Sequence, residues 1–100
     1  MVIEIKISSP KKTLYFTADT VLKYATLNSR SLNINVNYYA NRICELIQNW
    51  PNESTNTNVI DGEKYSIIVH DMIETRSYSG NTNFPENYPL LVSLIEELDN

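Results

Sequence analysis

Two glycines in one hundred residues, Gly62 and Gly80, leave no material for a glycine-rich phosphate loop. A single cysteine, Cys44, excludes an intrachain disulfide. Together with one histidine, it falls short of the three or four ligands a zinc site needs. No acidic loop has the spacing of a calcium site. No apolar run approaches the roughly 20 residues required to cross a bilayer, and the N-terminus lacks a signal-peptide pattern. The expectation from these absences is a reduced, cytoplasmic chain with no cofactor and no membrane attachment. One hundred residues make a single domain, 1–100, in which most apolar positions are needed for one core.

What is present in excess is acid, and it is unevenly placed. Residues 1–50 carry six basic against three acidic side chains, a net +3, whereas residues 51–100 carry two against nine, a net −7. Such asymmetry points to an interaction surface, or simply to two halves whose charges intermingle once folded. The overall −4 argues against sequence-independent nucleic-acid binding, which needs several Lys or Arg on phosphates.

Hydrophobic periodicity supplies the architecture. Ile3, Ile5 and Ile7 alternate with Glu4, Lys6 and Ser8, the period of a half-buried strand. Ser9-Pro10-Lys11-Lys12 is a turn, and Thr13–Thr17 returns as a strand with Leu14 and Phe16 inward. Residues 20–27 fit either a short helix capped by Asp19 or Thr20, or a strand. The clean alternation of Leu32, Ile34 and Val36 with Asn33, Asn35 and Asn37 favours a hairpin across 20–37, with the asparagines facing water or a polar partner. From Tyr38 the period becomes helical: Tyr39, Ile43, Leu46, Ile47 and Trp50 form one stripe, with Asn37 as N-cap and Pro51 ending the helix. Pro51–Asn58 reads as a polar surface loop. Asp61-Gly62 is a turn. Glu63–His70 is a strand with Tyr65, Ile67 and Val69 on one face, and Ile68 breaks the polar side. A reversal near Asp71 feeds a strand over Ile73–Ser79. After the extended stretch Gly80-Asn81-Thr82-Asn83, Asn87 caps a last helix with Leu91, Leu94, Ile95 and Leu98 as its buried stripe and Pro89 in its first turn. The predicted fold is α+β: an antiparallel sheet of about five to six strands in ββ-ββα-ββα order, with two helices on one face.

No catalytic constellation emerges. Cys44 reads as packed beside the core rather than reactive. His70 and Asp71 are strand neighbours that point apart unless the turn begins at His70. The acidic end Glu96, Glu97 and Asp99 sits at the unfavourable negative pole of its helix, either as a solvated terminus or as a patch for a basic partner. Tyr78, Phe84, Tyr88 and Trp50 are candidates for an aromatic contact surface, with Trp50 the best candidate for core.

The run Ile60-Asp61-Gly62, Tyr65, Tyr78-Ser79-Gly80, Phe84-Pro85-Glu86-Asn87-Tyr88 and Leu94-Ile95 resembles a recurring ending of small uncharacterised bacterial α+β proteins. The pattern of Ile43, Leu46, Ile47 and Trp50 is similar to the helix that precedes it there. The resemblance covers about Tyr38 to Leu98. It implies the fold and transfers no activity.

The expected function is therefore a small, acidic, non-enzymatic protein-binding module. The specific expectation is an inhibitor of the anti-CRISPR, anti-defence or toxin-immunity type that occupies a basic or nucleic-acid-binding surface of a partner. The expected contacts are Glu63, Asp71, Glu74, Glu86, Glu96, Glu97 and Asp99, with Tyr78 and Tyr88. The alternative is a structural or regulatory homodimer paired through a strand edge. A small hydrolase or nuclease built on His70 or Cys44 ranks third.

Overall fold

A computed structural model describes residues 1–55, 63–81 and 84–99, the side chains of 53–55 excepted. The expected Asp61-Gly62 turn, the end of the polar loop at 56–58, and Thr82-Asn83 lie outside the described residues.

The alternating isoleucines of β1 (Val2–Ser8) place it at the centre of a seven-stranded sheet of order β4-β3-β2-β1-β6-β7-β5. Ile3, Ile5 and Ile7 are buried, and their strand pairs antiparallel with β2 (Thr13–Asp19) on one side and β6 (Lys64–His70) on the other. Register carries the pattern across the sheet. Ile5 faces Phe16 and Ile67, all three fully buried, so one face of the sheet is apolar over its middle strands. The reverse face carries Lys6, Tyr15 and Ser66, exposed, with Ile68 half-buried among them.

Beyond β2, residues 20–23 form a turn, β3 (Tyr24–Leu27) follows, and β4 is only Arg30–Ser31. The expected long hairpin across 20–37 is thus cut short. Asn28 and Ser29, both with positive φ, make a two-residue tip between the paired Leu27 and Arg30. The chain then leaves the sheet. Leu32 and Ile34 still pack against the core while Asn33 and Asn35 are exposed, so the alternation reports burial along a connection rather than a strand.

Helix α1 (Val36–Ile47) starts earlier than the periodicity predicts. Its cap is Asn35, not Asn37: the Asn35 Oδ1 accepts the Tyr38 N–H at 3.1 Å. Val36, Ala40, Ile43, Leu46 and Ile47 form the buried stripe. Within the expected polar loop, β5 (Glu53–Thr55) pairs parallel with β7 (Thr75–Asn81). A three-residue pairing leaves too little periodicity for a sequence pattern to show. β7 itself begins at Thr75 rather than Ile73, because Asp71–Glu74 closes a hydrogen-bonded turn from Asp71 N–H to the Glu74 carbonyl at 3.0 Å. Helix α2 (Tyr88–Glu97) buries Tyr88, Leu91 and Ile95, with Leu98 following and Leu94 half-buried. Both helices lie on the apolar face, as expected for a two-layer α+β domain, and the shortest principal extent is 19 Å.

Candidate protein-binding site

The seven carboxylates expected to meet a partner do not share one surface. Ser8 and Thr13 lie at one end of the sheet and Val2 and His70 at the other, separated by the length of a seven-residue strand, roughly 20 Å. Glu96 and Asp99 belong to the first end. Glu96 pairs with Lys12 at 3.8 Å and Asp99 with Arg30 at 3.8 Å. The Arg30 guanidinium also donates to the Leu98 carbonyl at 3.1 Å. Hairpin-tip cations thus supply the positive charge that the C-terminus of α2 lacks in its own sequence. Glu97 borders a shallow dip with Arg42.

Asp71 and Glu74 lie at the opposite end, both within 4 Å of Arg76. The Asp71 Oδ1 accepts the Ile73 and Glu74 N–H groups, each at 2.8 Å. Those two bonds, aided by Arg76 and the N-terminal ammonium, hold the Asp71 carboxyl below its ordinary value against a small opposing effect of burial. Glu63 is half-buried beside Tyr88.

The two tyrosines are corrections. Tyr78 and Tyr88 are buried and belong to the core. Tyr88 stacks on Phe84 at 4.4 Å between ring centroids and lies 5.2 Å from Tyr65, which in turn packs edge-on to Trp50 at 5.4 Å. Burial pushes the Tyr88 phenol upward, and the Glu63 carboxylate reinforces the shift. Aromatic identity signals an interface only for rings that reach solvent, and here the helix layer covers them.

His70 and Asp71 do not form a dyad. The His70 Nδ1 lies 3.1 Å from the Thr75 hydroxyl and the Nε2 3.7 Å from Glu4, whereas Asp71 serves the turn. Cys44 is half-buried, with its Sγ 3.7 Å from the Met1 sulfur. Burial pushes its thiol up more than the nearby Arg76 pulls it down. Among the described residues, no group of three or more His, Cys, Asp or Glu could hold a metal ion, and no helix is long and apolar enough to cross a membrane.

A cleft remains, and Glu86 of the expected contact set belongs to it. It lies between the end of α1 and the start of α2, with a volume of about 750 Å³. Trp50, Leu46 and Leu90 line it together with Pro51 and Pro85, and Glu45 and Glu86 stand at its exposed margin. Asn87 holds the two helix ends together. Its Nδ2 donates to the Leu46 carbonyl at 2.7 Å, and its Oδ1 accepts the Trp50 indole N–H. The last turn of α1 contains no basic residue, so the negative pole of the helix adds to the two carboxylates. Glu45 has Arg42 on one side at 3.4 Å. Gln48, Asn49 and Asn87 complete the lining, and this mixture of apolar, amide and carboxylate groups suits the aliphatic stem and charged head of an Arg or Lys side chain. Glu45 carries no signal of its own in the sequence, because it joins Glu86 around one cleft only when the two helices pack. No family model, curated protein or solved structure matches the chain.

Proposed function

We propose that this protein is a non-enzymatic binding module that engages a basic surface of a partner protein, and that it acts as an inhibitor by covering a surface that would otherwise hold nucleic acid. The observation that carries this reading is the helix-end cleft. It joins apolar side chains, two carboxylates and the end of a helix that has no basic residue in its last turn, on a chain of net charge −4. The raised thiol of Cys44 and the engagement of Asp71 in its own turn rather than with His70 favour binding over catalysis. An inhibitor of the anti-defence or toxin-immunity type is the biological form of this reading.

Trp50 is the single tryptophan and lines the cleft, so its emission reports occupancy directly. Nona-arginine titrated into the protein at low salt should change Trp50 fluorescence. The effect should weaken steeply as salt rises and be lost in the Glu45→Gln, Glu86→Gln double variant. A signal absent in the wild type, or unchanged in that variant, would remove the cleft as the binding site.

The alternative is a homodimer joined edge to edge, for which β7 offers Thr75–Tyr78 beyond its pairing with β5. Among the described residues the outermost strands are short, β4 with two residues and β5 with three.

A further inference from the structure

The open edge of β7 ends where the helix-end cleft begins. Which of its backbone groups are free follows from the alternation along the strand. The Ser79 N–H points out of the sheet and donates to the Asn52 carbonyl at 3.0 Å, whereas the Glu74 carbonyl points inward and accepts the Asp71 N–H. Residues two apart on a strand point their groups the same way, so Thr75 and Ser77 turn theirs outward while Arg76 and Tyr78 bond with β6. β5 covers this edge from Ser79 to Asn81 only. Thr75 and Ser77 are exposed, and among the described residues nothing pairs with their outward N–H and C=O groups.

A groove with a volume of about 540 Å³ lies along this stretch, from Glu74 at one end to Asn52 at the other. Asn52 closes it, and the preceding residue, Pro51, lines the helix-end cleft. Groove and cleft therefore adjoin across one peptide bond.

We propose that one element fills both: an extended basic segment of the partner protein, which adds a strand to β7 and passes an Arg or Lys side chain into the cleft. This rests on the reading of the cleft as a site for a basic partner and names the form in which that partner enters it. Outward N–H and C=O groups in a row are complementary to an extended backbone, which satisfies them by continuing the ladder. A strand laid in line with β5 sits about 4.8 Å from β7 and pairs over Thr75–Tyr78, roughly 13 Å of chain. Asn52 then blocks that line, so the segment leaves the sheet beside Pro51, at the cleft. Charge selects the partner at Glu45 and Glu86. Along the groove Arg76 is already held by Asp71 and Glu74, so recognition there is by main chain. A second copy fits this edge less well. The twofold antiparallel pairing that uses both outward residues of each copy, Thr75 against Ser77, sets the two Arg76 side chains directly opposite each other, where like charges repel.

Two probes separate the strand from the cleft alone: acetyl-arginine amide can enter the cleft but has no strand to add, and nona-arginine supplies both. At low salt, nona-arginine should slow hydrogen exchange of the Thr75 and Ser77 amides tenfold or more, read by nuclear magnetic resonance on the full chain. Acetyl-arginine amide should change Trp50 emission and leave those amides unprotected. Nona-arginine methylated on every backbone nitrogen keeps its charge and loses its donors, so it should bind at least tenfold more weakly. Ser77→Pro removes one outward N–H at an edge position, where proline is tolerated, and should weaken nona-arginine binding without altering the response to acetyl-arginine amide. A Trp50 response to both probes without protection of Ser77, or equal affinity for the methylated and unmethylated peptides, would overturn the added strand and leave the reading of the cleft intact. No Trp50 response to either probe would remove the cleft and this inference with it. Protection of Ser77 that grows with protein concentration alone would assign the edge to a second copy and overturn the proposal as well.

Discussion

The indole N–H of Trp50 donates to the side-chain carbonyl of Asn87, thirty-seven residues along the chain. The same amide donates to the Leu46 carbonyl, so one asparagine satisfies the end of α1 and anchors the start of α2. Asn87 stands at the N-cap position of α2 without a side-chain capping bond, because its side chain is engaged with α1. The cleft keeps its shape through this one residue.

Asn87→Ala should therefore cost about 2–3 kcal/mol, since it leaves a Trp N–H and a helix-terminal carbonyl without their partner at a half-covered site. Asn87→Asp retains an acceptor for Trp50 but turns a carboxylate oxygen towards the Leu46 carbonyl at the negative pole of α1, so it should cost at least as much as Asn87→Ala. Urea unfolding followed by Trp50 emission measures both.

The Asp71 turn carries a pH signature. Its carboxyl is held below the ordinary 3.8, chiefly by the N–H groups of Glu74 and Ile73. A lowered value means that the turn is stabilised at pH above 3.8 and loses that contribution as acidification passes through the folded value. The amide proton shifts of Ile73 and Glu74 should titrate together on acidification, with a midpoint below 3.8. In an Asp71→Asn variant the same amides should show no such titration.

Ser29 occupies the left-handed region at φ 68° in the β3–β4 tip. A residue with a Cβ there costs roughly 1–2 kcal/mol, part of which glycine returns through its greater freedom in the unfolded chain. Ser29→Gly should stabilise the protein by about 0.5–1 kcal/mol and raise the melting temperature by about 3–6 °C in calorimetry. Asn28→Ala at the preceding position should do the reverse, because the Asn28 Oδ1 accepts the Tyr15 N–H at 2.8 Å.

The central strands and both helices were legible because their apolar residues repeat with a local period. Ile3, Ile5 and Ile7 announce a strand whatever lies beside them, and Ile43, Leu46 and Ile47 announce a helix face. β5 and the shortened β4 were not, since two or three residues contain no period and their pairing depends on which strand passes nearby. Of the cleft, Glu86 was visible as a charge, but its company with Glu45 was not.

The burial of Tyr78 and Tyr88 and the capture of Arg30 by the end of α2 were equally hidden, because each is a contact between distant segments. Sequence by itself determined the longer strands, the two helices and the faces they bury, because these follow from side-chain order along one strand or one helix. Only tertiary structure decided that the acidic half of the chain is divided between two ends of a sheet. Asp71 and Glu74 stay together on Arg76 while Glu96 and Asp99 meet Lys12 and Arg30, because the β6–β7 turn leaves one end of the sheet and α2 finishes at the other.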